Sequence, residues 1–429
     1  MHIPDGYLSP VVSIGIAVVT VPVLAASTRK VRTVLSNRTV PLLAIFSALS
    51  FTIMMFNIPV PGGTTAHGVG ATLIAIVLGP WAAVIAVSTA LIIQALFFGD
   101  GGILAIFANC FSMAIVMPFT GYWVYRLFAA RAPVLGTRRA WAAGIAGYVA
   151  MTASAAAVGV LLGIQPLLFK DAGGRPLYSP YDVGTAVPAM LLAHALGASI
   201  VEGLIGGLGI AYFQKRHPEY LTSLRGVFAD LGSEVGQATT RPLWQVVAAS
   251  VAVLVAGFLV AGLVTGGGSP SRLFGADWSQ VDWPGVASML LLVAVLFAVL
   301  VPLAYRALPA RLKRVGTAFT AIAIVAPLGL IAPGFAYGEG TVEDVQSAFG
   351  YVPQGLKDLS GVKGALFGGY NIPLPFFRDA NPELWHTAIG YEVTAMLGIL
   401  LCGAAVYLGA RFLGRDREAT PAQAESAKA

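Results

Sequence analysis

The chain of 429 residues is too hydrophobic for a soluble protein, since 57% of its residues are hydrophobic and only 11% are charged. Soluble domains carry roughly 25% charged residues. The formal net charge of +6 does not indicate nucleic-acid binding, because Lys and Arg of a membrane protein collect at the cytoplasmic ends of its spans. The two cysteines lie far apart in apolar runs and indicate neither a disulfide framework nor a metal motif.

Apolar runs along the chain predict an all-α, polytopic helical transmembrane protein with about eleven membrane segments. A helix needs about 20 apolar residues to cross about 30 Å of hydrocarbon. The predicted segments are residues 10–27, 42–58, 65–78, 81–98, 105–127, 140–162, 183–213, 243–264, 286–305, 315–330 and 390–412. The third segment is too short to cross alone, so we expect it to be tilted or buried within protein.

The basic residues predict the orientation of these segments. With the N-terminus outside and every segment crossing, 20 of the 26 Lys and Arg residues fall inside. The six that fall outside are Lys170, Arg175, Arg272, Lys357, Lys363 and Arg378. This asymmetry follows the positive-inside rule and predicts an outside N-terminus, a cytoplasmic C-terminus and a multi-pass position in the cell membrane.

Four regions are predicted along the chain. Residues 1–213 form a membrane domain of seven segments, and residues 214–241 form a polar cytoplasmic linker. Residues 242–412 form a second membrane unit with long outside loops, and residues 413–429 form a disordered cytoplasmic tail. We expect no signal peptide, because no Lys or Arg precedes the first segment, so Met1 would be the mature N-terminus.

The opening sequence "MHIPDGYLSP" places a histidine beside the terminal amine. The amine and the peptide nitrogen of His2 close a five-membered ring around a metal ion, and the peptide nitrogen and Nδ1 of His2 close a six-membered ring. Three nitrogens in one plane favour Ni(II) or Cu(II) once a fourth donor joins them. Metal binding would displace protons, so we expect it to weaken at low pH. A histidine at this position without any metal role is the alternative.

The stretch "VPGGTTAHGVGATL" supplies the candidate for that fourth donor, His67. In the predicted orientation His67 lies on the same outer side as Met1, and the flanking small residues leave space for another backbone. The other histidines fit less well, since His217 falls in the linker, His386 in the second unit and His194 within a segment. A hydrogen-bonded polar residue at the membrane interface is the alternative interpretation of His67.

Four further polar residues are candidates for supporting the metal ligands. Asp100 in "FFGDGG" lies at an outside turn. It either supports the metal ligands or attracts cations, or it simply stabilises a turn, and the same interpretations apply to Asp5. Gln94 and Asn109 interrupt apolar runs, where they either hydrogen-bond the loops that carry the two histidines or join helices.

Three ionisable residues fall within the predicted membrane segments. His194 and Glu202 are eight residues apart on one helix face, and we interpret them as a buried pair facing neighbouring helices rather than as a functional site. Glu392 lies near the outer end of the last segment, where we expect a contact between the two membrane units.

The first half of the chain resembles a known family. "MHIPDGYLSP", "IPVPGGTTAHGVGATLIAIVLGPWAA" and "QALFFGDGGILAIFANCFSMA" are similar to the substrate-binding M component of nickel/cobalt energy-coupling-factor transporters, of the CbiM/NikM type. The resemblance covers roughly residues 1–213. It implies that the ion is held by the amine of Met1, by backbone and ring nitrogens of His2, and by His67.

The second half resembles the N component of the same transporters, which implies a fused MN protein. "PLGLIAPGFAYGE" and "YVPQGLKDLSG" carry this similarity. The family's P-D-G-L-E element is here Pro353, Gln354, Gly355, Leu356 and Lys357, so both acidic positions are lost. The crossings between the linker and this stretch also exceed what an N component needs.

The function expected from these features is that of a substrate-specificity subunit that takes Ni²⁺ or Co²⁺ from the outer side for an ATP-driven importer. The sequence has no phosphate-binding G-x-x-x-x-G-K-[ST] element, so a cytoplasmic ATPase and a transmembrane coupling subunit would be separate chains. Nickel is favoured over cobalt, because four coplanar nitrogens suit Ni(II).

Two alternative functions predict features that differ from those of this sequence. A solitary secondary transporter of metal ions predicts inverted repeats with paired broken helices, whereas only one broken segment is evident in the sequence. An intramembrane metal-dependent enzyme needs a nucleophile or an open metal position beside a base, and no such cluster falls on one helix face.

Overall fold

The computed structural model describes residues 1–33, 39–60, 64–130, 132–221, 283–307, 313–331, 338–359, 365–373 and 384–414. Most of these residues are helical. Seven of the described helices are long and apolar enough to cross a membrane: Pro10–Arg32, Pro80–Phe98, Ile106–Ala129, Thr137–Leu168, Val183–Arg216, Trp283–Ala307 and His386–Leu413. The expected all-α, multi-pass membrane fold is therefore confirmed.

Two further apolar helices are shorter, at Thr39–Met54 and Gly316–Leu330. The predicted segment 243–264 lies outside the described residues, as do most of the linker 214–241 and nearly all of the tail 413–429. The count of eleven segments and their orientation in the membrane stay predictions.

The first unit begins with two helices, a hairpin and a short helix. These are α1 (Pro10–Arg32), α2 (Thr39–Met54), β1 (Ile58–Val60), β2 (Thr64–Ala66) and α3 (Ala71–Leu78). The short third segment is thus helical only in its second half, after Gly70 with φ of 74°. Every residue of α3 is at most 5% exposed, so this helix is buried within the protein as expected.

Seven more helices complete the first unit, and π-helical turns interrupt three of its spans. The helices are α4 (Pro80–Ile93), α5 (Ile106–Asn109), α6 (Met117–Ala129), α7 (Thr137–Gly163), α8 (Gln165–Leu168), α9 (Val183–Ala193) and α10 (Ser199–Arg216). The π-helical turns are Gln94–Phe98, Cys110–Val116 and His194–Ala198. Such turns occur frequently at functional sites.

Basic residues join two pairs of helix ends in this unit. The Lys30 ammonium lies 3.6 Å from the ring centroid of Trp81, so the end of α1 and the beginning of α4 lie close together. At the beginning of α7, Arg139 donates a 2.8 Å hydrogen bond to the carbonyl of Leu221, which follows α10. The beginning of α7 and the end of α10 are therefore neighbours as well.

The second unit packs against the first in one apolar core. Its elements are α11 (Trp283–Ala307), α12 (Lys313–Val325), α13 (Val342–Phe349), α14 (Gln354–Leu359) and α15 (Leu384–Gly414). Helix α15 runs along α2, and the Tyr391 hydroxyl donates a 2.6 Å hydrogen bond to the carbonyl of Met55. The segments around Gly340 and Tyr370 cover the N-terminus of the chain.

Candidate metal centre

The N-terminal segment is buried inside the bundle instead of lying on its surface. Met1 is 3% exposed, His2 2% and Ile3 1%. Farther along, the backbone N–H of Ser9 donates a 3.0 Å hydrogen bond to Oε1 of Gln165. The hydroxyl of Tyr7 donates a 2.9 Å hydrogen bond to the carbonyl of Gly340. Both units of the protein therefore fix the path of the first residues.

Asn109 holds the backbone next to His2. Its Oδ1 accepts a 2.8 Å hydrogen bond from the N–H of Ile3, and its Nδ2 donates a 3.1 Å bond to the carbonyl of the same residue. Gly101 makes the close approach possible, because a Cβ there would lie 2.9 Å from Nδ2 of Asn109 and 3.5 Å from Cβ of His2. Gly101 also has φ of 86°, which favours glycine.

The amine of Met1 lies between an imidazole and a carboxylate. Its nitrogen is 3.4 Å from Nε2 of His67 and 3.1 Å from Oε1 of Glu339. His67 comes from the loop between β2 and α3, and Glu339 from the second unit. The terminal amine thus joins residues that are 66 and 338 positions away in the chain.

The imidazoles of His2 and His67 meet edge to face, with 4.9 Å between ring centroids. Nδ1 of His2 contacts Oδ1 of Asp100 at short range. A carboxylate only accepts hydrogen bonds, so Nδ1 carries the proton in this contact. The other ring nitrogen of His2, Nε2, is buried without a hydrogen-bond partner among the described residues.

Asp100 is held by three side chains. Besides His2, its carboxylate accepts a 2.5 Å hydrogen bond from the Tyr370 hydroxyl and a 3.3 Å bond from Nε2 of Gln94. Burial alone would raise the pKa of Asp100, but His2 and the Tyr370 hydroxyl outweigh it and hold this pKa below its usual range. Burial and the Asp100 charge raise the pKa of the Tyr370 hydroxyl well above its usual value, so the hydroxyl stays a donor.

The backbone at Tyr370 is unusual. Its φ of 59° is the only positive value of a residue other than glycine among the described residues. Such a conformation costs roughly 1–3 kcal/mol and persists only where its surroundings impose it. The strained residue is the one whose hydroxyl donates to Asp100, which in turn contacts His2. The second unit therefore imposes this conformation in order to bind Asp100.

His67 is kept in its neutral form. Burial lowers the pKa of its imidazole well below the usual value, and the positive charges of the Met1 amine and of His2 lower it further. Nδ1 of His67 lies 2.9 Å from the carbonyl of Gly68, which only accepts hydrogen bonds. The proton therefore sits on Nδ1, and Nε2 presents its lone pair to the Met1 amine.

An open cavity of about 990 Å³ lies beside this cluster. Its walls come from the N-terminal segment, from the loop around Asp100 and from the second unit; they include Pro4, Asp5, Gly101, Glu339, Glu343 and Gly369. Glu339 lies both in this wall and against the Met1 amine, so one carboxylate separates the cavity from the amine.

The structure brings most of the sequence-predicted residues together. Met1, His2 and His67 form the cluster, with Asp100 behind His2 and Asn109 behind Ile3. Gln94 donates hydrogen bonds to Asp100 and to the Tyr370 hydroxyl, so it supports the carboxylate behind His2 and not a loop that carries a histidine.

Asp5 is farther from the cluster. Its carboxylate accepts hydrogen bonds of 2.9 and 2.8 Å from the N–H groups of Ile103 and Leu104. This contact orders the loop after Asp100, which agrees with the turn-stabilising interpretation.

His194 and Glu202 are both buried, as expected. They have different partners: Nδ1 of His194 lies 2.8 Å from the carbonyl of Met190, whereas Glu202 hydrogen-bonds the backbone just after His67.

Glu339 and Tyr370 were missed by sequence reasoning. The stretch "PLGLIAPGFAYGE" ends at Glu339 without marking a role for it, and no sequence signal marked Tyr370.

The cluster differs from a conventional side-chain metal site. Within the described part of the chain, no three His, Cys, Asp or Glu side chains converge on one point. The available donors are instead an amine, a peptide nitrogen and two imidazoles. The fold and this cluster define the chain as a polytopic helical membrane protein with a buried, nitrogen-rich N-terminal centre.

Comparison with known proteins gives the family. The profile described as "CbiM: Cobalt uptake substrate-specific transmembrane region" matches residues 2–220. The fused nickel transport protein NikMN of Rhodobacter capsulatus is 34% identical over 427 residues, covering 98% of this chain and 100% of that protein. The chain therefore belongs to the CbiM family, in the fused MN arrangement.

Two further relatives match the first half of the chain. The probable fused nickel transport protein LarMN of Lactiplantibacillus plantarum is 45% identical over 219 residues, covering 50% of this chain and 65% of that protein. A crystal structure described as a truncated transition metal transporter is 51% identical, covers 51% of this chain and 99% of its own, and has a TM-score of 0.48. The family makes this chain a metal-ion transport protein rather than an enzyme.

Proposed function

We propose that the protein captures Ni²⁺ or Co²⁺ from the outer side of the membrane, with Met1, His2 and His67 as the metal ligands. The ion binds the terminal amine, the peptide nitrogen and Nδ1 of His2, and Nε2 of His67. The observation that carries this proposal is the 3.4 Å distance between the Met1 amine and Nε2 of His67.

That distance suits two neighbouring corners of a square-planar site. Nitrogens about 2.0 Å from a metal ion and at right angles to each other lie about 2.8 Å apart. The two nitrogens, which are 3.4 Å apart, therefore need to approach each other by only about 0.6 Å. A buried chelate of this kind also removes the hydration shell of the ion.

Metal binding replaces two contacts of the metal-free centre. The Met1 amine releases a proton and leaves Glu339, and the peptide nitrogen of His2 releases a second proton. Nδ1 of His2 turns from Asp100 to the ion while the proton of the ring moves to Nε2. Asp100 then lies next to the ligand ring, where a carboxylate orients the imidazole and neutralises positive charge. The carboxylates thus hold the ligands in place until the ion arrives.

Nickel is the favoured substrate. Four nitrogens in one plane suit Ni(II) better than Co(II), and two relatives are named as nickel transport proteins. The same donors bind Cu²⁺ more tightly than Ni²⁺ by the Irving–Williams order, so selection against copper depends on availability or geometry.

The chain acts as the specificity subunit of an ATP-driven importer in the cell membrane. Its partners are a transmembrane coupling subunit and cytoplasmic ATPase subunits, because the sequence carries no phosphate-binding loop of its own. Uptake of radioactive nickel by cells that lack their own nickel importers tests this assignment. Uptake should require the coupling and ATPase subunits together with this chain, and uptake by this chain alone would contradict it.

The ligand set is tested by calorimetry on the purified protein with a C-terminal tag. Two residues added ahead of Met1 turn the amine into an amide and should abolish Ni²⁺ binding, as should His2→Ala. His67→Ala removes one of four donors and should weaken binding at least tenfold. His217→Ala, in the region after α10, serves as the matched control. Unchanged binding by the extended protein would overturn the proposed site.

A further inference from the structure

We propose that Glu202 is a positioning residue that holds the loop of His67 so that Nε2 faces the Met1 amine. This inference rests on the proposed function, since it concerns one of its ligands. From the sequence, Glu202 was interpreted only as one of two buried residues that face neighbouring helices, and the contacts of its carboxylate now give it a specific partner.

The Glu202 carboxylate binds the backbone immediately after His67. Its Oε2 accepts hydrogen bonds of 2.8 Å from the N–H groups of both Val69 and Gly70. Its Oε1 accepts a 3.3 Å bond from the N–H of Thr72, in the first turn of α3. A carboxylate at the beginning of a helix satisfies N–H groups that have no partner within the helix and faces the positive end of the helix dipole.

The same loop is held from a second side. The Ser50 hydroxyl of α2 donates a 2.8 Å hydrogen bond to the carbonyl of Val69. Both backbone polar groups of Val69 are therefore bound, and His67 lies two residues before this doubly anchored position. Between them, Gly68 packs closely against α10, because a Cβ there would lie 2.7 Å from Cδ1 of Ile205.

Glu202 itself is attached to a rigid part of the bundle. Helices α7 and α10 approach closely through glycines on both sides. A Cβ at Gly147 would lie 2.6 Å from the carbonyl oxygen of Glu202, and one at Gly206 would lie 2.7 Å from the carbonyl oxygen of Ala143. Small residues at such contacts let membrane helices pack backbone against backbone.

These contacts connect the packed helices α7 and α10 to the proposed metal ligand His67. The glycine contacts hold Glu202 in place, Glu202 holds the loop, and the loop positions His67. A ligand that is held before the ion arrives loses little conformational freedom on binding, which strengthens the complex. A carboxylate that is 0% exposed within a membrane span is costly, and this role gives it a function beyond capping α3.

A double-mutant cycle tests the proposal. Glu202→Gln keeps the size of the side chain and removes its charge, and it should weaken Ni²⁺ binding about tenfold in the full-length protein. In a His67→Ala background the remaining donors of Met1 and His2 still bind nickel at higher concentration. There the same substitution should change the affinity less than about twofold, because Glu202 acts through His67.

Two further variants separate positioning from stability. Ser199 lies on α10 like Glu202, and Ser199→Ala removes its 2.9 Å hydrogen bond to Thr152 of α7. This variant should leave Ni²⁺ affinity unchanged. The visible absorption band of bound Ni²⁺ reports its donors, and Glu202→Gln should shift it toward that of His67→Ala. Glu202→Asp, which keeps the charge but shortens the reach, replaces Glu202→Gln if the latter does not fold.

The outcomes are distinct. Equal weakening by Glu202→Gln in both backgrounds, or no weakening in either, would overturn the positioning role. Unchanged binding by His67→Ala alone would instead overturn the proposed ligand set and leave the contacts of Glu202 purely structural.

Discussion

Oε1 of Glu339 lies 3.1 Å from the amine nitrogen of Met1, so a carboxylate of the second unit holds the proposed first ligand of the metal ion. The same side chain forms part of the cavity wall. In the proposed site, its negative charge attracts the divalent cation and competes with the cation for the amine.

Glu339→Gln should therefore slow the association of Ni²⁺ more than it changes the equilibrium affinity. Binding exchanges one Ni²⁺ for protons on the amine and on His2, so the net charge near Glu339 changes little. We expect an association rate several-fold lower at low salt and a smaller difference at high salt, because salt screens the attraction. Stopped-flow measurements at two ionic strengths check this. Glu343→Gln, in the same wall but without a contact to Met1, is the control.

Tyr370→Phe should loosen the His2 ligand. Loss of the 2.5 Å hydrogen bond to Asp100 costs about 1.5–3 kcal/mol of unfolding free energy, because the acceptor is charged. It should also weaken Ni²⁺ binding measurably, since Asp100 orients the imidazole of His2. Tyr391→Phe removes a comparable hydrogen bond, to the carbonyl of Met55, and should lower stability without lowering affinity. Equal affinities of the two variants would argue against the role of Tyr370.

Asn109→Ala should misplace the N-terminal segment. It removes both hydrogen bonds to Ile3, whose backbone fixes the peptide nitrogen of His2. We expect Ni²⁺ affinity to fall about tenfold or more, as for other residues that orient metal ligands. Asn109→Asp keeps the 2.8 Å bond from the N–H of Ile3 and should retain part of the affinity. Calorimetry on both variants checks the order wild type, Asn109→Asp, Asn109→Ala.

The lowered pKa of His67 predicts a dependence of stability on pH. In the unfolded chain this imidazole takes up a proton near pH 6.5, whereas in the folded protein it does so only at lower pH. Between the two pKa values the unfolded state binds more protons, so the free energy of unfolding decreases as the pH falls below about 6.5. The effect is absent at higher pH, where His67 is neutral in both states.

Thermal unfolding of the metal-free protein between about pH 7.5 and 5.5 measures this effect. The midpoint should fall toward acid pH, and His67→Asn should show a smaller fall, because the variant has no imidazole to protonate. If the midpoint fell equally with pH in the two proteins, His67 would not be protected from protonation in the folded state, contrary to what its burial implies.

The sequence predicts the membrane class and the closeness of the Met1 amine to His67, for physical reasons. Length and hydropathy determine where a span lies, so residues 81–98 and the helix Pro80–Phe98 agree closely. The pairing of the amine with His67 follows from chelate chemistry and from the family motifs. These features depend on local sequence or on a short list of residue types that suit a metal ion.

Contacts between elements that are distant in the chain could not be predicted from the sequence. Glu202 looks like any buried carboxylate until the first turn of α3 is placed against it. Glu339 and Tyr370 lie in loops of the second unit, and no periodicity or spacing brings them to Met1 and Asp100. In the third predicted segment, residues 65–78, the part that contains Gly68 and Gly70 is a loop and the helix begins only at Ala71. Apolar composition alone does not predict this loop.

The burial of the N-terminal segment has a consequence for biosynthesis. The first residue leaves the ribosome first, yet its neighbours Ile3, Ser9 and Tyr7 bind positions 106, 156 and 333 residues later. Contacts of such sequence separation form only after the partner segments have been made and inserted. We therefore expect the N-terminal segment to dock among the last steps of maturation, so that the proposed metal centre forms only after both halves of the newly made chain have assembled.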